Sequence, residues 1–293
     1  MSVSTTSNYA QDVFWKHSWP ILLGLAALYL PTYYNLTTTI WQSEDQAHGP
    51  IILAAALYIV WQKRDCLTGK VQGEVSPLAG WLLLLFGMLL YMFGRSQSVL
   101  IFDIGSQIPV LIGTLLITRG ANAVRALWFP LFFLVFMVPL PGMLVDIVTG
   151  PLKQQISELT EMVLYWAGYP IARSGVTLSI GPYQLLVADA CSGLHSMFSL
   201  SAMGLLYLYM MQYRSWVRNG VLLASLLPIA FFANTMRVII LVLVTYYLGD
   251  EAGQGFLHKF AGILLFIISL LLVVAIDRTL DWVLPEFSKA EPR

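Results

Sequence analysis

The sequence predicts an all-α integral membrane protein with about eight transmembrane helices. Hydrophobic residues make up 58% of the 293-residue chain and charged residues only 11%, less than half the roughly 25% charge that is usual in soluble domains. The apolar residues form continuous runs rather than short alternating segments, which favours helices over a β-barrel. Sixteen basic and sixteen acidic residues cancel, so net charge does not indicate a partner such as nucleic acid.

Eight apolar runs reach, or approach, the length that spans a bilayer. The first is too long for a cleavable signal peptide and predicts a retained helix. Because no repeat or flexible linker divides the chain, we expect one membrane domain over 1–293, with short tails at 1–17 and 278–293. The runs lie at 19–41, 51–61, 78–93, 99–117, 127–145, 185–209, 217–248 and 256–276.

Lysines and arginines predict which side of the membrane each connection faces. Cytoplasmic connections hold the excess of basic residues in membrane proteins, and this rule places both termini in the cytoplasm. The connections assigned to the inner side carry Lys63, Arg64, Lys70, Arg119, Arg125, Arg214 and Arg218. Fewer basic residues fall on the outer side.

One outer-face segment, 151–169, has an amphipathic pattern. Its apolar stripe runs through Leu152, Ile156, Leu159, Met162, Val163 and Trp166, while lysine, glutamine and glutamate make the other side polar. A helix of this kind lies along a membrane surface more often than it spans the membrane. We therefore expect a surface helix rather than a ninth crossing.

Arg237 is the chief ionisable residue inside an apolar run. Burying an unpaired guanidinium in a membrane costs at least about 2.5 to 3.5 kcal/mol, so a partner or a function has to offset that cost. A structural pairing with Asp103 is one interpretation, and a catalytic role is the other. Asn234 lies three residues earlier, on the same helix face.

A small polar cluster surrounds Cys191 at the outer end of the sixth run. The simple interpretation is a buried thiol in a seam of small residues, formed with Ser192 and Gly193. However, Asp189 and His195 are also placed at this membrane boundary. A nucleophilic thiol needs a group that stabilises the thiolate and a cation for the developing oxyanion, and both types of group occur nearby.

Three histidines are predicted on the same outer side as Cys191. His258 opens the last apolar run, and His195 lies four residues after the thiol, about one helical turn away. Spacing alone favours His195 as the base. His48 precedes the short second run, where it either orients a substrate or caps the helix. Cys66 lies in an inner connection and is treated as incidental.

These motifs together resemble the exosortase family, bacterial membrane cysteine transpeptidases related to the archaeosortases. The likeness covers about 44–276, and His195 departs from it, because a different, often basic residue is expected there. The matching segments are His48-Gly49, Pro139-Leu140-Pro141, Ala190-Cys191-Ser192-Gly193-Leu194, Asn234-Thr235-Met236-Arg237-Val238 and His258.

The resemblance implies an enzyme of the bacterial inner membrane with its active site on the periplasmic side. Its implied substrates are exported proteins that end in a Pro-Glu-Pro-type motif, one transmembrane helix and a basic tail. It implies Cys191, Arg237 and His258 as the catalytic residues. Cleavage at the motif would be followed by transfer of the new carboxyl end to an acceptor connected with surface polysaccharide.

Other functional classes fit parts of the same pattern. Arg237, Asp103 and the proline-broken helices are also features of a transporter or channel, although no paired half-helices or twofold repeat accompany them. A scaffold for envelope assembly and a plain membrane cysteine hydrolase are further alternatives. No cluster has metal-ligand spacing, so no cofactor and no metal are expected.

Overall fold

The computed structural model describes the backbone of residues 3–42, 48–64, 67, 77–139, 142–186, 193–213, 215–249 and 256–283. Side chains are described within these ranges except at 3–18, 142–146, 148–149, 193–199, 256–266 and 283. The chain divides into two compact units, Met1–Leu140 and Pro141–Arg293.

The described chain is mostly helical. The first unit contains α1 (Val3–Thr38), α2 (Gly49–Gln62), α3 (Pro77–Gln97), α4 (Leu100–Gly105), α5 (Gln107–Thr118), α6 (Ala121–Ala126) and α7 (Trp128–Phe133), with short 3-10 turns at Ile40–Gln42 and Leu134–Met137. The second unit contains α8 (Gly142–Trp166), β1 (Ile171–Ser174), β2 (Thr177–Ile180), β3 (Tyr183–Leu186), α9 (Gly193–Met211), α10 (Trp216–Leu248) and α11 (Phe256–Val283).

Within the described residues, three helical segments are long and apolar enough to cross a membrane, and shorter apolar helices accompany them. The three are Pro77–Gln97, Leu100–Thr118 and Trp216–Leu248. A multi-pass helical membrane protein is therefore the correct class. The total of eight crossings, the cytoplasmic termini and the single domain stay predictions.

The fifth predicted run, 127–145, does not form one helix. Its first helical part ends at Met137, Val138 adopts an extended backbone with φ −77° and ψ 118°, and residues 142–145 belong to the next helix, α8. Pro139 follows, and the ring of a proline pushes the preceding residue out of the helical region. Apolar composition alone therefore overestimated the length of this helix.

The prediction of an all-α protein is wrong at 171–186, where a three-stranded antiparallel sheet forms in the order β1-β2-β3. Two-residue turns join the strands, and each begins with a glycine of positive φ, Gly175 at 64° and Gly181 at 55°. Glycine in the first turn position is typical of the type II′ turns that close hairpins. The sixth predicted helix, expected from residue 185, consequently begins at Gly193.

The amphipathic segment is helical as predicted, but it belongs to the longer helix α8. Its buried side includes Ile156 and Leu164, which pack into a cluster with the sheet. Met162, Val163 and Trp166 from the predicted apolar stripe are exposed. The helix thus has one apolar face against protein and a second one outside it.

In the first unit, α3 packs closely against α4 and α5 along a row of glycines. A Cβ at Gly87 would collide with Val110, and one at Gly94 would collide with the backbone of Asp103. Gly80, Gly87 and Gly94 are spaced by seven residues, which keeps them on one side of the helix. Small residues of this kind let membrane helices approach each other closely.

In the second unit, the sheet lies against α8 and α10, and the helices α9, α10 and α11 pack pairwise. The sheet contributes alternate residues, such as Leu178 and Leu185, to an apolar cluster. Val238, Leu241 and Val242 of α10 belong to the same cluster. A second cluster, which includes Leu200, Leu226 and Val273, joins the three helices.

Candidate functional site

Arg237 and Asn234 lie in the second half of α10, on one buried side of the helix. The exposed fractions of the two residues are 6% and 4%, and both have hydrogen-bonding or electrostatic partners in the protein. An arginine so well enclosed in an apolar helix is costly and is characteristic of functional positions in membrane proteins. The structure therefore shows Arg237 as a buried residue with partners in the protein, and its catalytic role stays a prediction.

The sheet connects this part of α10 with the segment that carries Cys191. Leu185 of β3 and Val238, the residue after Arg237, belong to the same buried apolar cluster. Strand β3 also packs directly against α10. Because β3 ends at Leu186, only five positions before Cys191 in the sequence, the chain leading to the thiol starts beside the helix that carries Arg237.

A buried ionic cluster ties the opposite end of the three-helix group together. Arg218 of α10 donates to Oδ1 of Asp277 of α11 from Nε at 2.9 Å and from Nη2 at 2.5 Å. Tyr207 of α9 and Tyr213 each donate to Oδ2 of Asp277 at 2.5 Å, and Arg218 also bonds Asp281. We call these five residues the Arg218–Asp277 cluster.

The charged groups of Arg218 and Asp277 are buried, and they have hydrogen-bond and cation–π partners. The Arg218 and Asp277 side chains are 2% and 3% exposed, and the guanidinium carbon of Arg218 lies 3.6 Å from the centroid of the Tyr213 ring, a favourable cation–π contact. Burial and the hydrogen bond to Asp277 raise the pKa of Tyr213. Its hydroxyl therefore contributes stability below pH about 10 and loses it only as pH rises through the raised folded-state value.

Distances along the helices relate this cluster to the predicted site. Arg237 lies nineteen positions after Arg218 in the sequence, and His258 lies nineteen positions before Asp277. Because α10 and α11 pack together and are paired through Arg218 and Asp277, straight helices would bring the backbones of Arg237 and His258 to the same level, about 28 Å from the cluster. The start of α9, two residues after Cys191, lies about 21 Å from Tyr207 in the same direction.

Several predicted site residues fall outside the described part of the chain. Cys191, Asp189 and Ser192 are outside it, as is Cys66. Gly193 is the first residue of α9, and His195 and His258 occupy the first turns of α9 and α11, but the side chains at these positions lie outside the description. Their catalytic roles stay predictions.

The two remaining candidates belong to the first unit. His48 is the N-cap residue of α2, but its side chain makes no capping hydrogen bond, so capping by the imidazole does not explain it. Asp103 is 4% exposed. It accepts a hydrogen bond from Thr32 at 2.8 Å and pairs with Arg95 at 3.4 Å. Its carboxylate is thus engaged within its own unit.

Comparison with known proteins supplies the family. The family model described as transmembrane exosortase (Exosortase_EpsH) matches residues 40–275, most of the chain. The chain belongs to the transmembrane exosortase family. Neither the curated proteins nor the solved structures give a match.

The Arg218–Asp277 cluster of this exosortase was not anticipated from its sequence. Arg218 was interpreted only as a basic residue that orients a connection, whereas it is almost fully buried. The available signal was Asp277 and Asp281, one helical turn apart near the end of an otherwise apolar helix. Two acidic side chains on one face predict a basic partner across the helix interface.

Proposed function

We propose that this exosortase cleaves the C-terminal sorting signals of exported proteins with a Cys191 nucleophile. The proposed substrates carry a Pro-Glu-Pro-type motif, one transmembrane helix and a basic tail. Cleavage at the motif is followed by transfer of the new carboxyl end to an acceptor at the cell surface. The enzyme works in the bacterial inner membrane, with its site on the periplasmic side.

The packing of α10 against α11, with the buried Arg218–Asp277 pair between them, is the observation that supports this proposal. The Arg218–Asp277 ion pair aligns the two helices. Arg237 and His258 each lie nineteen positions from the member of this pair on their own helix. Strand β3, which leads towards Cys191, packs against α10 near Arg237. The proposal places Cys191, Arg237 and His258 together at this end of the helical group.

Each proposed residue has a definite chemical task. The Cys191 thiolate attacks the carbonyl carbon of the scissile peptide bond, and Arg237 stabilises the negative charge that develops on the carbonyl oxygen. The C–N bond then breaks as His258 gives a proton to the leaving amine, which leaves a thioester on Cys191. An acceptor amine, or water, attacks the thioester and gives its proton to His258, and the thiolate is released.

Neighbouring residues support these steps. Asn234 lies one turn from Arg237 on the same buried side and orients the guanidinium or donates a second hydrogen bond. Asp189, Ser192, Gly193 and His195 surround the nucleophile in the sequence and shape its pocket. His48 orients the substrate.

A co-expressed substrate tests the proposal directly. The chain is produced in a host without an exosortase, together with a tagged secreted protein that carries the tripartite sorting signal. Mass spectrometry of the tagged protein is expected to show a new C-terminus within the Pro-Glu-Pro motif, with or without an added acceptor mass. A substrate with a scrambled motif is the control. An intact signal on the unscrambled substrate would refute the proposed function.

Loss of the Arg237 charge is expected to slow processing strongly. In Arg237→Gln, the oxyanion loses a charged donor in a site of low polarity, which costs about 10²- to 10³-fold in rate. Arg237→Lys restores the charge but not the planar fork and is expected to recover only part of the rate. Processing rates are compared with those of Arg173→Gln, whose arginine forms a partly exposed pair with Glu161. Normal processing by Arg237→Gln would exclude the assignment.

The identity of the base can be decided with two variants. His258→Ala is expected to reduce processing by about 10²- to 10⁴-fold, the usual contribution of general acid–base catalysis, while His195→Ala retains most of the rate. The pH profile of the His195→Ala chain should match that of the unmodified chain. If His195→Ala is inactive and His258→Ala processes normally, the base is His195.

A further inference from the structure

We propose that the free edge of strand β3 binds the substrate as an added β-strand, next to the scissile bond. The inference rests on the proposed function, since it concerns how the same site holds its peptide. It assigns the binding surface to the backbone of Gln184 and Leu186, two described residues that no step of the proposed chemistry uses.

The pairing of the strands determines which backbone groups face outwards. A two-residue turn at Gly181 and Pro182 joins β2 to β3, so the pair Ile180–Tyr183 that closes it exchanges hydrogen bonds. Hydrogen-bonded and non-hydrogen-bonded pairs alternate in an antiparallel ladder. Gln184 and Leu186, which oppose Ser179 and Thr177, therefore direct their N–H and C=O groups away from β2.

Nothing in the described part of the chain pairs with this edge. β3 is an edge strand of the sheet. Within the described residues, the backbone groups of Gln184 and Leu186 make no hydrogen bond to a loop or turn. Both residues are exposed. Helix α10 contacts β3, and Leu185, which lies between the two outward-facing residues, enters the apolar cluster that contains Val238 of α10.

The two edge strands of the sheet differ in how they are protected: β1 is covered and charged, whereas β3 is neither charged nor interrupted by proline. β1 lies against α8, and Arg173 of β1 pairs with Glu161 of that helix at 3.1 Å. Native proteins guard edge strands with charges, prolines, bulges or covering elements. The four residues of β3, Tyr183-Gln184-Leu185-Leu186, contain neither a charge nor a proline, so the edge is open to pairing.

The position of the edge indicates which peptide it receives. Five residues of chain reach at most about 18 Å, so Cys191 lies no farther than that from Leu186. Attack on a peptide bond requires an accessible, extended peptide, whose N–H and C=O groups are costly to bury without partners. Main-chain pairing with a strand edge satisfies these groups at every residue except proline, which has no N–H, and holds the peptide extended.

Backbone and side-chain variants of one residue test the role of the edge. Gln184→Pro removes the outward N–H, and Gln184→Ala keeps it. KM for a peptide spanning the cleavage motif is expected to rise about tenfold in the proline variant, the effect of one lost hydrogen bond to a fixed partner, with kcat changed less. Gln184→Ala, which keeps the N–H, is the matched comparison, and KM in the proline variant is expected to exceed KM in the alanine variant about tenfold. An unchanged KM in a folded, active Gln184→Pro chain would overturn the inference.

Methylated peptides test the same point with the unmodified enzyme. Two peptides carry N-methyl groups on alternate residues upstream of the scissile bond, in opposite phase. Since only alternate N–H groups face the edge of a partner strand, one phase is expected to compete about tenfold less well than the other. Equal competition by both phases would overturn the inference even if Gln184→Pro fails to fold. Absence of processing of the unmethylated peptide would instead count against the proposed function.

Discussion

Replacing Cys191 by alanine is expected to abolish cleavage of the sorting signal. The thiolate is the only nucleophile in the proposed mechanism, and removal of the nucleophile from a protease template costs about 10⁶-fold in kcat. Such a loss places any remaining processing below detection. The measurement is the C-terminal mass of a co-expressed substrate, which reports cleavage and acceptor attachment together.

Two variants separate loss of chemistry from loss of structure. Cys66→Ala removes the other cysteine of the chain, which lies in a predicted inner connection, and is expected to process normally. Cys191→Ser keeps the size of the side chain but supplies a poorer nucleophile at neutral pH. Full processing by Cys191→Ala, with the substrate cut at the same bond, would reject the nucleophile and favour one of the other functional classes.

Replacing Asp277 by alanine is expected to destabilise the second unit by about 3 to 5 kcal/mol. The carboxylate accepts hydrogen bonds from Arg218, Tyr207 and Tyr213 at a position shielded from solvent. Its removal leaves the Arg218 guanidinium with a weaker set of partners in an apolar surrounding, and breaking a buried pair from one side typically has this cost. Thermal unfolding of the purified protein in detergent measures the loss.

Matched variants show whether the buried pair causes that loss. Glu161→Ala breaks a partly exposed ion pair with Arg173, and a pair at such a position contributes at most about 1 kcal/mol. The double variant Arg218→Met, Asp277→Leu removes both buried charges and is expected to recover much of the stability. An Asp277→Ala chain that melts together with the Glu161→Ala chain would contradict the structural role of the cluster.

Measuring substrate processing by Asp277→Ala tests whether the Arg218–Asp277 cluster also supports the candidate site. If the Arg218–Asp277 cluster sets the relative position of α10 and α11, its loss disturbs Arg237 and His258 about 28 Å away. Processing below the melting temperature is then expected to fall more than in Glu161→Ala. The charge-free double variant, which keeps the helices packed, is expected to restore part of it.

Long apolar helices were predictable from composition and length alone. The predicted run 217–248 corresponds closely to α10, Trp216–Leu248, because a hydrophobic stretch of that length has few other stable forms in a membrane. The run 127–145 was predicted as a continuous helix although Pro139 and Pro141 lie inside it. The proline ring disfavours a helical backbone at the residue before it, and this local effect ended the helix despite the high average hydropathy of the run.

The sheet shows what a hydropathy window overlooks. Apolar residues follow Leu185 and Leu186 and favour a transmembrane helix there, but polar and apolar residues alternate in the preceding Thr177-Leu178-Ser179-Ile180. Gly175-Val176 and Gly181-Pro182 between the strands are hairpin turn signals. A search for glycine-initiated turns at a spacing of six residues would have found the sheet.

The sequence predicted which residues belong to the candidate site, but not where they lie relative to one another. Arg237 was conspicuous because an isolated charge in an apolar run is costly, and the structure shows it buried beside Asn234. Its level relative to His258 depends on how α10 and α11 are aligned, which is set by Arg218 and Asp277 on distant parts of the chain. Pairings between helices leave little trace in a single sequence.

A covalent intermediate on Cys191 tests the central claim most directly. Purified enzyme is mixed with a sorting-signal substrate in the absence of an acceptor amine and quenched in acid, and the peptide containing Cys191 is analysed by mass spectrometry. The account predicts a thioester with the mass of the upstream substrate fragment, released by neutral hydroxylamine. Cleavage of the substrate in the same sample, with the Cys191 peptide unmodified at every time point, would contradict it.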